Sequence, residues 1–303
     1  MPSVLSNGIR IEYAESGRKT DPVILLIMGL GTQLVAWPDS LCEGLVSLGF
    51  RVVRFDHRDV GYSTKVGSDD PAEVASMLSL ALTGRPYKAL YTLRDMTADT
   101  LGLLDALGIE RAHIAGISMG GMIAQILAAE HPDRVASLTL IMTSSGNPRL
   151  PLGCHEAIAV TLAPRPDGRD REAVIAHTMN TYRVIGSPGF RMDDAALRAW
   201  VERSADRVYY PIGAGRHVLA LLASGDRLDL IKRIRCPTHV VHGIDDPLIP
   251  MEAGKELADI IEGATLQLVP GMGHDLAAGL MPIWVDAIGR HCLSVAEMST
   301  AVT

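Results

Sequence analysis

Gly116-Ile117-Ser118-Met119-Gly120-Gly121 is the stretch of sequence that decides the fold. It ends a run of apolar residues, Ala112–Ile117, that is typical of a buried β-strand, and a helical run from Met122 to Glu130 follows it. The stretch fits the motif G-x-S-x-G in the strand–turn–helix context that gives this motif its meaning. A serine at the tip of so sharp a turn has strained backbone angles and needs neighbours without bulky side chains. We therefore predict that Ser118 is a nucleophile; the alternative is a glycine-rich turn with an incidental serine.

A serine hydroxyl needs a base to become nucleophilic, and the base needs an acid that orients it. Two later segments offer these groups, since Asp245 and Asp246 follow one predicted strand and His274 follows the next. Both segments leave the sheet at its carboxyl edge, where ligands of such sheets bind. We predict that His274 is the general base and that Asp246 orients it, with Asp245 as the second candidate. No carboxylate closely follows the strand Ser137–Ile141, which is the other position where an acid is expected.

A glycine-bearing loop follows the predicted strand Val23–Ile27 and continues to Thr32. Glycines allow backbone N–H groups to approach a developing negative charge closely. The expected donors of this oxyanion hole are the N–H groups of Leu30 and Met119. The loop lacks the G-x-x-x-x-G-K and G-x-G-x-x-G patterns, which disfavours nucleotide binding.

Short β-branched runs alternate with helical patterns at both ends of the chain, which predicts an α/β fold with a doubly wound, mostly parallel sheet. The clearest helix runs from Leu93 to Leu107, with a capping box at Thr92 and Asp95. Between residues 144 and 235 strand patterns are missing and helical patterns predominate. The predicted strands are Ile9–Ala14, Val23–Ile27, Arg51–Phe55, Ala112–Ile117, Ser137–Ile141, His239–Val241 and Thr265–Val269. We therefore expect a core of residues 1–146 and 236–303, interrupted by an all-helical cap of residues 147–235.

The composition excludes several classes of protein. A hydrophobic fraction of 48% with 21% charged residues in 303 residues excludes intrinsic disorder, and a net charge of −7 argues against nucleic-acid binding. The four cysteines are far apart, and no histidine pair has the spacing of a metal site, so we expect neither disulfides nor a metal. The start lacks the pattern of a signal peptide and no run is long enough to span a membrane, so we expect a cytoplasmic protein.

Taken together, these motifs resemble those of the α/β-hydrolase superfamily over almost the whole chain. The stretch Phe55–Ser63 is similar to the family's D-x-R-G-x-G-x-S loop, and His131–Val135 is similar to its link into strand six. The chain looks closest to aclacinomycin methylesterase-like members, which carry a helical cap. It departs from many members at Met28, where they have histidine, and at Val60, where they have glycine.

This resemblance implies a carboxylic-ester or lactone hydrolase that acts on a small molecule without a cofactor. Cofactor-free haloperoxidases, perhydrolases and carbon–carbon bond hydrolases share the same three residues and stay open as alternatives. A non-catalytic small-molecule receptor on the same fold is the alternative from another class. Substrate choice is expected to reside in the cap and in a loop from Val66 to Tyr91. The candidates for an apolar pocket, none of them assigned as a binding residue, are Met142, Met179, Met192, Trp200 and Tyr209.

Overall fold

One eight-stranded sheet forms the centre of the protein in a computed structural model that describes residues 1–301, with side chains for residues 1–295. The strands are β1 (Ser3–Ser6), β2 (Ile9–Ser16), β3 (Val23–Ile27), β4 (Arg51–Phe55), β5 (Ala112–Ile117), β6 (Val135–Ile141), β7 (Thr238–Gly243) and β8 (Thr265–Val269). Their order in the sheet is β1-β2-β4-β3-β5-β6-β7-β8, and all pairs from β4 to β8 are parallel. Only β1 and β2, at one edge, pair antiparallel. The predicted doubly wound, mostly parallel sheet is confirmed.

Helices connect the strands and cover both faces of the sheet. They are α1 (Asp39–Ser47), α2 (Pro71–Leu82), α3 (Leu93–Ala106), α4 (Met119–Glu130), α5 (His155–Leu162), α6 (Arg171–Ile185), α7 (Asp194–Ala205), α8 (Pro211–Ser224), α9 (Leu228–Ile231), α10 (Met251–Ile260) and α11 (Met281–Ala301). Helix α3 begins as predicted, because the Asp95 carboxylate accepts hydrogen bonds from the backbone N–H and the hydroxyl of Thr92. None of the helices in the described part of the chain is long and apolar enough to cross a membrane.

Strand β3 is apolar on both faces of the sheet. Successive side chains of a strand point to opposite faces, and every residue from Val23 to Ile27 is apolar and buried. Leu25 and Ile27 pack in the cluster that contains residues of α3 and α4. Ile24 and Leu26 pack in the cluster on the other face, with residues of α1 and α11. The two-sided burial fixes the middle of the sheet, from which the loops at its carboxyl edge project.

Strand β1 and helix α2 are among the elements that differ from the sequence prediction. Strand β1 was not predicted, although Asn7 and Gly8 form a two-residue hairpin turn in which both residues have positive φ. The segment from Val66 to Tyr91 was predicted to be a loop, and this is wrong because it contains α2. Asp70 caps that helix by accepting a hydrogen bond from the N–H of Ala72, and Pro71 occupies its first turn.

Helices α5 to α9 lie in the chain between β6 and β7, where strand patterns are missing. The sequence has helical patterns at Glu172–Tyr182, Asp193–Ser204 and Gly215–Ser224, and these agree with α6, α7 and α8 to within four residues at each end, while α5 and α9 were not predicted. Ile231 of the short helix α9 packs in the cluster of α3 and α4 beneath the sheet edge. The division of the chain into a core and a cap of residues 147–235 stays a prediction.

Candidate active site

Ser118 sits at the turn between β5 and α4 with a φ of 51° and a ψ of −123°, a conformation that non-glycine residues rarely adopt. Its backbone is held from two sides. The N–H of Ser118 donates to the carbonyl of Ile141 at 3.0 Å, and its carbonyl accepts from the Thr143 hydroxyl at 2.7 Å. The neighbouring strand β6 therefore stabilises the strained turn that the G-x-S-x-G motif predicts.

The glycines of the motif are required by close approaches of backbone to backbone. A Cβ on Gly120 would lie 2.1 Å from the carbonyl oxygen of Ile27, and a Cβ on Gly116 would lie 2.4 Å from the carbonyl oxygen of Gly120. Both distances are far inside van der Waals contact, and neither contact can be relieved by a rotamer change. Gly120 thus allows the turn to pack against the end of β3, and Gly116 allows the start of α4 to pack against β5.

The structure brings Ser118, Asp246 and His274 together, although 156 positions of sequence separate Ser118 from His274. His274 Nδ1 lies 2.8 Å from Asp246 Oδ2, and His274 Nε2 lies 3.1 Å from Ser118 Oγ. Since an ionised carboxylate only accepts hydrogen bonds, the proton belongs on Nδ1 and leaves Nε2 free to accept from the serine hydroxyl. All three residues are on loops at the carboxyl edge of the sheet. This is the arrangement that a base needs in order to take a proton from the serine.

Asp246 and Asp245, the two candidate acids, have separate partners. Asp246 is buried, and its Oδ1 accepts from the backbone N–H groups of Leu248 and Ile249 at 2.9 Å each while Oδ2 faces His274. Asp245 is exposed and accepts from the N–H of Gly271 at 2.7 Å. The structure therefore brings Asp246 to His274, and Asp245 stabilises the loop that precedes it.

Sequence reasoning missed the residues that hold the His274 loop in place. The Ser187 hydroxyl donates to Asp275 at 2.5 Å and accepts from the N–H of Gly273 at 2.9 Å, and the N–H of His274 donates to the carbonyl of Ile185 at 2.7 Å. Burial raises the pKa of the Asp275 carboxyl, and the bonds from Ser187 oppose that shift. The end of α6 and the turn after it thus fix the backbone on both sides of His274. No pattern in a single sequence links residues 185–187 to residues 273–275.

The loop after β3 lies directly against Ser118. A Cβ on Gly29 would be 3.4 Å from Ser118 Cβ and 3.9 Å from Ser118 Oγ, so the loop backbone passes beside the hydroxyl. Leu30 follows in that loop, and Met119 is the first residue of α4, whose N–H has no acceptor within its helix. The two predicted oxyanion donors are therefore located on two backbone segments that adjoin Ser118.

Two buried histidines, His57 and His217, support this loop and were not assigned a role from the sequence. His57 Nε2 donates to the carbonyl of Met28 at 2.9 Å. His217, on α8, donates from Nε2 to the carbonyl of Arg58 at 2.9 Å and accepts with Nδ1 from the N–H of Gly31 at 3.1 Å. Burial lowers the pKa of His217 to about 3 and also lowers that of His57, so both rings are neutral at pH 7. The neutral form of His217 is the one that can accept from Gly31.

A cavity of about 560 Å³ opens onto Ser118 and His274. This volume falls in the range typical of small-molecule sites. Residues of the loop after β3 line one side of it, and residues of α5 to α8 line another. Of the five predicted pocket candidates, Trp200 and Tyr209 line the cavity. Met142, Met179 and Met192 instead pack in apolar clusters, where the flexible methionine side chain fills irregular space.

Among the residues whose side chains the structure describes, no group of three or more His, Cys, Asp or Glu residues is arranged to hold a metal ion. The four cysteines are free thiols, three of them buried. The only acids that line the cavity are Asp59 and Asp275, within the same described part, and both are engaged by other side chains.

A strained serine turn at the carboxyl edge of a doubly wound sheet, facing a histidine and a buried carboxylate, is the site of a large class of α/β proteins. The chain belongs to the alpha/beta hydrolase fold family, whose pattern it matches over residues 22–277. The resemblance found in the sequence is thereby confirmed at the level of the family.

The individual relatives described next are 22–27% identical to this chain in sequence. The rhodomycin D methylesterase DnrP of Streptomyces peucetius is 26% identical over 294 residues, which cover 91% of this chain and 92% of the relative. A 2-hydroxy-6-oxononadienedioate/2-hydroxy-6-oxononatrienedioate hydrolase of Paraburkholderia xenovorans is 27% identical over 274 residues, covering 88% of this chain and 84% of the relative. Among solved structures, the enol-lactonase from Burkholderia xenovorans has a TM-score of 0.65 at 22% identity and covers 99% of this chain and 98% of its own. At this identity the structural likeness concerns the fold.

Proposed function

We propose that the protein is a cofactor-free serine hydrolase that cleaves a carboxylic ester or lactone of a small molecule through an acyl-enzyme. The observation that carries the proposal is the continuous hydrogen-bonded series from Asp246 through His274 to Ser118, at 2.8 and 3.1 Å. These distances are within the range in which a base accepts a proton from a nucleophile. The methylesterase among the relatives supports an ester as the substrate.

Acylation follows from the positions of the three side chains. As Ser118 Oγ attacks the carbonyl carbon, His274 Nε2 takes the hydroxyl proton, and the Asp246 carboxylate stabilises the imidazolium through Nδ1–H. The carbonyl oxygen becomes negatively charged, and the N–H groups of Leu30 and Met119 donate to it. His274 then gives its proton to the leaving alkoxide, and the C–O bond of the ester breaks.

Deacylation repeats these steps with water. His274 takes a proton from a water molecule, which attacks the acyl carbonyl, and the proton is returned to Ser118 Oγ as the acid leaves. The chemistry therefore needs no group beyond the protein and water. Loss of any one proton acceptor or donor in this cycle is expected to reduce turnover by orders of magnitude.

We further propose that helices α5 to α8 act as a cap that selects the substrate. They contribute residues to the cavity that contains Ser118, among them Trp200 of α7, and Tyr209, between α7 and α8, lines it as well. Leu82 of α2 also lines the cavity, so the segment from Val66 to Tyr91 contributes as well. The predicted cytoplasmic location and the predicted absence of a nucleic-acid partner rest on the sequence alone and stay predictions.

A panel of 4-nitrophenyl esters of graded acyl length, with Ser118→Ala as the control variant, tests the proposal. We expect the wild-type protein to turn over at least one ester and the variant to lose activity by several orders of magnitude. Equal activity of the two proteins would contradict the proposal. Tight binding of a small molecule without turnover would favour a receptor. Peroxide-dependent bromination, or cleavage of a ring-fission dienone in preference to esters, would favour the alternative chemistries.

A further inference from the structure

Arg165, between α5 and α6, projects into the cavity beside the loop after β3. Its Nη2 lies 3.2 Å from the position that a Cβ on Gly31 would occupy, and the residue lines the same cavity as Ser118 and His274. Gly31 is two residues after Gly29, or about 7 Å of chain at most, and Gly29 is in contact with Ser118. The guanidinium therefore lies within roughly 17 Å of the reacting hydroxyl, on the same cavity.

No anionic side chain among residues 1–295 neutralises this guanidinium. In the part of the chain with described side chains, no carboxylate lies within 4.0 Å of Arg165, whereas Arg58 pairs with Asp99 at 2.6 Å and Arg216 with Asp59 at 3.2 Å. By surface area the Arg165 side chain is exposed, but the space that it faces is the cavity.

The surroundings of Arg165 within the cavity favour an anionic partner for its charge. Burial lowers the pKa of the guanidinium, and the groups that oppose the shift are the phenols of Tyr209 and Tyr182, which are neutral at pH 7. Most of the cavity lining is apolar, with Ile158, Val174 and Leu221 among its residues. A charge in such surroundings is stabilised best by an opposite charge with hydrogen bonds.

The acidic residues of the cavity are not available as partners. Asp59 accepts from the Tyr91 hydroxyl at 2.6 Å and pairs with Arg216, and Asp275 accepts from Ser187. The missing anion is thus expected to arrive with the ligand. A guanidinium presents a planar fork of N–H donors that matches the two oxygens of a carboxylate.

Resting on the proposed function, we infer that the substrate is an ester that also carries a free carboxylate, which Arg165 binds while Ser118 attacks the ester carbonyl. A monoester of a short dicarboxylic acid is the simplest member of this class. The carboxylate would lie several bonds from the scissile carbonyl, in keeping with the distance between the guanidinium and the hydroxyl.

Paired substrates of equal size test the inference by kinetics. Mono-4-nitrophenyl glutarate is compared with 4-nitrophenyl pentanoate, and 4-acetoxybenzoate with 4-methylphenyl acetate, so that the carboxylate is on the acyl side in one pair and on the alcohol side in the other. We expect Arg165→Gln to lower kcat/KM for the anionic ester of at least one pair by about tenfold to hundredfold. The neutral esters should change by less than about threefold.

Arg191→Gln is the matched control, because Arg191 is exposed, does not line the cavity and forms no ion pair among the described side chains. It should leave all four kcat/KM values unchanged. Equal losses for anionic and neutral esters in Arg165→Gln, or no loss for either anionic ester, would overturn the inference.

A binding measurement keeps the inference separate from the proposed function. Monomethyl glutarate and methyl pentanoate are titrated into Ser118→Ala and into the double variant with Arg165→Gln, with calorimetry as the readout. We expect Ser118→Ala to prefer the anionic ligand and the double variant to lose that preference by tenfold or more. Equal affinity of the two proteins for monomethyl glutarate would overturn the inference even if esters are hydrolysed. Absence of turnover by the wild-type protein, with the preference intact, would contradict the hydrolase proposal alone.

Discussion

Replacing Asp246 with asparagine tests the proton arrangement at the site without changing its shape. Asp246 Oδ1 accepts from the backbone N–H groups of Leu248 and Ile249, while Oδ2 accepts from His274 Nδ1. In Asp246→Asn the single amide oxygen should keep the two backbone bonds, because an NH₂ group there would face two donors. The NH₂ group then points at His274 Nδ1, which has to give up its proton and accept.

The substitution therefore favours the tautomer of His274 that carries its proton on Nε2, and this tautomer cannot act as the base. With the proton on Nε2, His274 can no longer accept from Ser118 Oγ at 3.1 Å. A change of this kind in a serine–histidine–aspartate site reduces kcat by about 10⁴-fold. We therefore expect kcat for a 4-nitrophenyl ester to fall by about 10³- to 10⁴-fold while KM changes little.

Asp245→Asn is the control, since Asp245 is exposed and its one described side-chain bond accepts from the N–H of Gly271. An asparagine oxygen can accept the same bond, so kcat should stay within about threefold of the wild-type value. Unfolding midpoints of both variants show whether each is folded. A kcat within tenfold of wild type for Asp246→Asn, or a larger loss for Asp245→Asn, would refute the reasoning.

Three further predictions concern the support of the site. A Cβ on Gly120 would lie 2.1 Å from a main-chain oxygen, so Gly120→Ala should lower the free energy of unfolding by about 3 kcal/mol or more in urea titrations. The control Gly29→Ala, whose nearest contact would be at 3.4 Å, should change the free energy of unfolding little. Equal losses in the two variants would contradict this prediction. Burial lowers the pKa of His113 to about 4 and that of His217 to about 3, so the unfolded state binds more protons and stability should fall as the pH drops below about 6.5, by about 2 kcal/mol per histidine at pH 5. A free energy of unfolding that is flat between pH 7 and pH 5 would argue against neutral buried rings. His217→Leu leaves the N–H of Gly31 without its acceptor and should lower kcat about tenfold. Steady-state kinetics, under conditions where an unfolding titration shows the variant to be folded, measure this loss, and a wild-type kcat would exclude a positioning role for His217.

The sequence predicts those parts of the fold that depend on local patterns. Strands β3, β4, β5 and β8 have the predicted bounds, because each is a short apolar or β-branched run between turn residues. The overlooked strand β1 has a local signal in Asn7-Gly8, and the overlooked helix α2 has one in Asp70-Pro71. The prediction omitted β1 and α2 because it did not include the turn signal of the first or the cap signal of the second.

Contacts between distant segments explain what the sequence does not predict. The motif and the order of residues indicate Ser118 and His274, because each follows a strand in a glycine-bearing turn. The choice between Asp245 and Asp246 depends on which carboxylate faces inward, and this is set by the packing of the loop after β7. The supporting roles of Ser187 and His217 come from helices α6 and α8, whose position over the cavity has no signature in local sequence.

The rate at which a fluorophosphonate labels Ser118 tests the central claim most directly. Trypsin releases Ser118 in the peptide from Ala112 to Arg134, so mass spectrometry can locate the label. We expect one label in this peptide for the wild-type protein and a labelling rate at least 10³-fold lower for His274→Ala, because the imidazole is the group that takes the hydroxyl proton. Labelling of another residue, or equal rates for the two proteins, would contradict the activation of Ser118 by His274.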